Sequence, residues 1–128
     1  MTDQLYSKQA DSTTYDKLFG SMPGEEIQVK SVKIASGQGK LSRGTVLGIV
    51  TATKKAVIVN SANTDGSQSA DCILTDDIDA TSADVTITAY SSGTFNRDAL
   101  IFGGTDTADT HETRLREFGI FLNQVIPY

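Results

Sequence analysis

Short β-branched runs cut by turn residues constrain this chain more than any other feature. From Thr45 onward, "TVLGIVTA", "KAVIVN", "DCIL" and "DVTITAY" follow one another. Each is too short for an ordinary helix and is bounded by Gly, Asn, Asp, Ser or Lys. In "DVTITAY", Val85, Ile87 and Ala89 fall on one side, and Asp84, Thr86, Thr88 and Tyr90 on the other. That is the period of a half-buried strand. "IQVKSVKI" alternates at Ile27 and Val29, then changes phase to Val32 and Ile34, which predicts a bulge or bend. Thr53-Lys54-Lys55 and Asp65-Gly66 read as turns, and "SGQGKLSRG" and "TDDIDATSA" as loops.

The stretch "YSSGTFNRDALIFGG" poses the sharpest question, because it holds Ser, Thr, Asn, Arg and Asp beside an apolar run. The expectation is that Gly93 turns the chain and Phe95 re-enters the core. Leu100 and Phe102 then share a side, and Arg97 and Asp98 lie at a surface or a subunit seam. One helix follows. Asp109 is its expected N-cap with Glu112 three residues on, Leu115, Phe118 and Leu122 are spaced for one face, and Gly119 ends it. "IFLNQVI" reads as a closing strand. The fold class is therefore mostly β with one short C-terminal helix.

Residues 1–26 differ. They are polar and aperiodic, and Gly20, Pro23 and Gly24 break any helix. Tyr15, Leu18, Phe19 and Met22 nevertheless place large apolar groups close together. The expectation is an extended N-terminal arm that docks on a partner, followed by a single β-rich domain over 27–128. Alone, such an arm buries too little to offset the entropy of ordering it.

Composition narrows the class. A chain of 128 residues buries about two thirds of its unfolded surface and needs no metal or disulfide to do so. It has one cysteine, Cys72, read as a small buried hydrophobe. No apolar run approaches the ~20 residues of a membrane span, and the first residues lack a secretory pattern. The expected setting is thus soluble and cytoplasmic in synthesis. A net charge of −5 disfavours a nucleic-acid partner. The charge is segregated: Ile27–Asn63 holds six bases and no acid, Thr64–Asp84 six acids and no base. Either these are solvated outer faces, or they are two complementary patches that meet across an interface.

Chemistry is scarce. His111 is the lone histidine, "HETRL" lacks the second histidine of a zinc helix, and the residue is expected to be exposed in the first turn. "SGQGKLSRGT" has Leu41 where a phosphate loop needs Ser or Thr. Asp76, Asp77 and Asp79 lack the glycine and bidentate glutamate of a calcium loop. Ser91, Ser92 and Thr94 have no base beside them. No catalytic residue, metal or cofactor is expected.

"TDGSQSADCIL", "DVTITAYSSGTFNRDALIF" and "GIFLNQVI", in this order, resemble the head decoration proteins of lambda-like tailed phages, and "LSRGTVLGIVTATKKAVIV" resembles that family's first hairpin. The likeness spans roughly Lys40 to Ile126; Cys72 stands where many members have Gly. The resemblance implies a β-tulip-like fold and a homotrimer at three-fold sites of the expanded head, on the outer surface of the virion. It implies the major capsid protein as partner, and production in the host bacterial cytoplasm. The arm residues Tyr15, Leu18, Phe19 and Met22, with Ile27 and Val29, are the expected capsid contacts, and Asp65, Gly66, Gly93 and Phe95 shape the body. Two other readings fit the residues: a small trimeric β module that holds a glycan or other ligand, and a phage tail or baseplate part.

Overall fold

The computed structural model describes residues 27–123. Tyr15, Leu18, Phe19 and Met22 lie outside the described residues. The elements run in the order β1 (Gln28–Ile34), β2 (Gly39–Leu41), β3 (Val46–Ile49), β4 (Ala56–Ile58), β5 (Ala70–Leu74), β6 (Ile78–Ala80) and β7 (Val85–Asn96). A 3-10 turn (Arg97–Ala99), helix α1 (Ala108–Glu117) and β8 (Ile120–Asn123) complete the series. The fold is mostly β with one helix near the C-terminus, as the sequence predicts.

The main sheet closes on itself. Its order is β1-β4-β3-β5-β7, and β7 pairs back to β1, so five strands form a small barrel-like ring. β8 runs parallel to the second half of β7, from Gly93 opposite Ile120 to Asn96 opposite Asn123. β2 and β6 form a separate antiparallel pair. Both lie in stretches whose polarity reads as loop.

Alternation along the strands divides the apolar residues into two cores. The first fills the ring: Val32 and Ile34 from β1, Leu47 from β3, Ala56 from β4, Cys72 and Leu74 from β5, and Ala89 from β7. Leu41 of β2 and Ala80 of β6 join it, so the small sheet plugs the ring. The second core lies on the other side of β3 and β5. There Val46 and Ile73 meet Phe95, Leu100, Leu115, Ile120 and Leu122. β5 is thus buried on both faces from Cys72 to Leu74, which is why these three residues are all apolar.

The phase change in "IQVKSVKI" is not a bulge in β1: pairing with β7 is unbroken from Val29 to Ile34, and Val29 faces outward at 55% exposure while Val32 and Ile34 face the ring core. A register step lies just before Val29. Gln28 pairs with Ser92 and Val29 with Tyr90, so Ser91 is an extra residue on β7. The expected turn at Ser91–Thr94 is not one. β7 runs through it to Asn96, and Gly93, at φ 140°, bends the strand rather than reversing it. Phe95 re-enters the core as expected and is fully buried.

Helix α1 is capped two residues before the predicted position. Thr107 is the N-cap, and its amide donates to Thr110 Oγ1 at 3.1 Å. Asp109 is a first-turn acid instead. Gly119, at φ 85°, follows the last turn as predicted, with its amide donating to Arg116 O at 3.0 Å. Phe118 does not join the Leu115 face. It is half exposed, under the Arg114 guanidinium at 4.5 Å from the ring centre.

The Asp65-Gly66 turn forms as read. Asp65 Oδ1 accepts the Ser67 amide at 3.0 Å and the Ser67 hydroxyl. Gly66 has φ 108°, and a Cβ there would lie 2.1 Å from Thr51 Oγ1 and 2.9 Å from Ile49 O. Both strain and crowding oppose a side chain at this point. Gly66→Ala is expected to lower stability by about 1–3 kcal/mol in a denaturant melt. A change under about 0.5 kcal/mol, the range of an ordinary surface substitution, contradicts the tight packing of this turn.

Candidate functional site

Among the described residues, one constellation that resembles a catalytic centre joins Ser61, Asp106 and His111. His111 is buried, not exposed, and its ring stacks on Phe102 with centroids 5.6 Å apart. Its Nε2 lies 2.7 Å from Asp106 Oδ2. Asp106 Oδ1 accepts the Ser61 hydroxyl at 2.6 Å, and Oδ2 accepts the Ser61 amide at 2.7 Å. The carboxylate therefore stands between serine and histidine. Nucleophile activation requires the imidazole in that place. The trio ties the loop after β4 to the chain entering α1, which is a structural task.

The other nucleophile is also committed. Cys72 is fully buried in the ring core, and burial, with Asp71 adding to it, pushes its thiol up to about 12. Of the acidic loop, Asp77 Oδ1 accepts the Arg43 amide at 2.7 Å, and Asp79 Oδ1 accepts the Thr81 amide at 3.0 Å. These carboxylates organise backbone. Among the described residues, no three His, Cys, Asp or Glu side chains gather as a metal group.

The segregated charges meet within one chain. Lys30 pairs with Asp71, and Lys55 Nζ lies 2.8 Å from Asp84 Oδ2. Lys40 sits opposite Asp79 in the β2–β6 register. Acid and base blocks alternate in sequence because they lie on neighbouring elements in space. Such half-exposed pairs contribute little energy and mainly favour one register. Arg97, expected at a surface or seam, bonds Asp109 Oδ1 at 2.7 Å and Glu112 Oε1 at 3.1 Å, fastening the 3-10 turn to α1.

Several of these carboxylates are tuned in one direction. The Ser67 hydroxyl and amide hold the Asp65 carboxyl below the ordinary range. Thr81 does the same for Asp79, and Lys55 with the Ser36 amide for Asp84. At Asp106, burial pulls upward, but hydrogen bonds from Ser61 and His111 outweigh it and the direction is again down. A carboxyl with a lower folded pKa stabilises the fold above its unfolded value of about 3.9. That contribution disappears as pH falls through the folded value. The melting temperature is therefore expected to fall steadily below about pH 4. A melting temperature that holds or rises there contradicts these pairings.

Among the described residues, four of the five exposed large apolar side chains lie around one stretch of β7, and the fifth, Ile101, sits beside Thr45. Ile27 (38% exposed) and Val29 (55%) sit where the chain enters β1, and Val29 lies opposite Tyr90. Phe121 (46%) is opposite Thr94 on the β8 side. Phe118 precedes Gly119, where an added Cβ would lie 3.5 Å from Ser92 Cβ. The predicted contacts Ile27 and Val29 thus share this end with two phenylalanines that sequence reading assigned elsewhere or passed over. Asp65 and Gly66 belong to a different turn, while Gly93 and Phe95 lie under the apolar end.

Exposed apolar side chains gathered in one place commonly mark protein–protein contact surfaces. The family model described as bacteriophage lambda head decoration protein D matches residues 8–120. The chain belongs to that family of structural phage head proteins, which is not an enzyme family. Membership makes it a virion component associated with the phage capsid. No curated protein matches the chain.

Proposed function

We propose that this protein cements the expanded phage head as a homotrimer on the outer face of its three-fold sites. The family match over residues 8–120 carries the reading. The exposed Ile27, Val29, Phe118 and Phe121 support the reading as apolar side chains open to a partner. In this account Tyr15, Leu18, Phe19 and Met22 anchor an arm that adds a strand to an exposed edge of the major capsid protein. Ile27 and Val29 continue that contact at the root of the arm.

The physical task is to join neighbouring capsid subunits against the pressure of packaged DNA. One arm binds weakly, because ordering it costs several kcal/mol of the interaction. Three arms on one trimer make the second and third contacts intramolecular, which adds about 10²–10⁴-fold in avidity. Avidity of this kind demands that acceptor edges lie at a matching separation, and that demand selects the expanded shell. DNA-filled heads lacking the protein should rupture on heating, and adding it should raise the rupture temperature. An unchanged rupture temperature at saturating protein would contradict the cementing role.

A further inference from the structure

The ring is closed unevenly. β1 and β7 share seven register pairs. Among the described residues, β1 and β4 share one, Ile34 with Ala56. Beside it, the Ala35 amide donates to Ala56 O at 3.0 Å. Two side chains then cross the same line. Gln38 Oε1 accepts the Ile58 amide at 3.0 Å, taking the place that a longer neighbouring strand would fill. Asp84 Oδ1 accepts the Ser36 amide at 2.8 Å, while its Oδ2 pairs with Lys55 Nζ at 2.8 Å. The chain just after β1 is thus clasped from two sides to the chain around β4.

The ring core includes the two paired residues of this line, Ile34 and Ala56, but the second core does not. The Val46 amide donates to Ile101 O and the Leu74 amide to Thr45 O, each at 2.9 Å. The second core lies across β3 and β5 from the ring interior. Where few backbone bonds hold a boundary, proteins open locally at less cost than global unfolding.

We propose that the β1–β4 line is an opening seam, along which β1 parts from β4 while staying on β7, with Gln38 and Asp84 governing how often it parts. β1 carries Val29 and Ile27 leads into it, so the seam lets this strand change its tilt while the second core stays packed. The inference stands without any capsid role.

Native-state hydrogen exchange of the full chain, read by NMR, tests it. After correction for intrinsic rates, the Ala35 amide should exchange at least about tenfold faster than Val46, Leu74 and the amides that bond β1 to β7. Gln38→Ala should speed Ala35 a further roughly two- to tenfold, although the Ala56 acceptor of Ala35 is untouched. Gln38→Glu, which keeps an acceptor oxygen, should restore the slower rate. Exchange of Ala35 at the same rate as Val46 and Leu74, or indifference of Ala35 to Gln38→Ala, overturns the proposal.

Discussion

Phe95→Ala is expected to destabilise the protein by about 3–5 kcal/mol. Phe95 is fully buried in the core between β7, β8 and α1, against Leu115, Ile120 and Leu122. Tyr90 meets its ring at a centroid distance of 5.5 Å with the planes tilted by 48°. Removing the ring loses its transfer from water and leaves a cavity that rigid strands close only in part. Domains of this size have only about 5–15 kcal/mol in total. The loss should appear as a shift in the urea midpoint with an unchanged slope. Phe121→Ala is the control. Phe121 lies one residue before Leu122 on the same strand but points outward at 46% exposure, and its loss should cost under about 0.5 kcal/mol. A Phe95→Ala protein within about 1 kcal/mol of the parent would mean that the second core is not packed as described, and would reopen "SGTF" as an exposed loop.

Removal of residues 1–24 is expected to spare the fold and abolish decoration. Among the described residues, the buried residues of both cores lie between Val32 and Leu122, and the truncated chain is expected to keep its cooperative melt. Binding to expanded shells should fall by at least about 10²-fold, because the arms supply the contacts that avidity multiplies. Phe121→Ala should weaken shell binding while leaving the melt unchanged, which separates the apolar end from the core. Full affinity in the truncated protein would place the capsid contact on the body alone.

Much of this was legible in the chain, for identifiable reasons. β3, β4, β5 and β7 are β-branched runs between strong turn residues, and local pattern suffices to find them. Phe95 lies two residues after a glycine in a Ser/Thr-rich stretch, where a lone large ring has only the core to enter. β2 and β6 stayed hidden because three-residue strands that carry Gly39, Lys40 and Asp79 look like loop. They exist because Leu41 and Ala80 plug the ring. The helix start was misplaced because two good caps compete. Thr107 wins over Asp109 by its bond with Thr110, a Thr-x-x-Thr box that lacks the usual Glu or Gln. His111 looked exposed because its sequence neighbours are polar. Its burial depends on Phe102 and Asp106, which the preceding loop folds over it. The pairing of acidic with basic blocks depends on strand order, which a single sequence does not display. The apolar end was half found, in Ile27 and Val29. Phe118 was missed because helical spacing offers it a place beside Leu115, and Phe121 because nothing in "IFLNQVI" marks which face is exposed.

The central claim is that this chain decorates the expanded phage head, and co-sedimentation tests it most directly. Purified protein would be mixed with undecorated shells in compact and expanded forms, and bound copies counted per capsid subunit. The account predicts saturable binding to expanded shells near one copy per subunit, with little on compact ones. Absence of binding to either form, or equal binding to both, would contradict it.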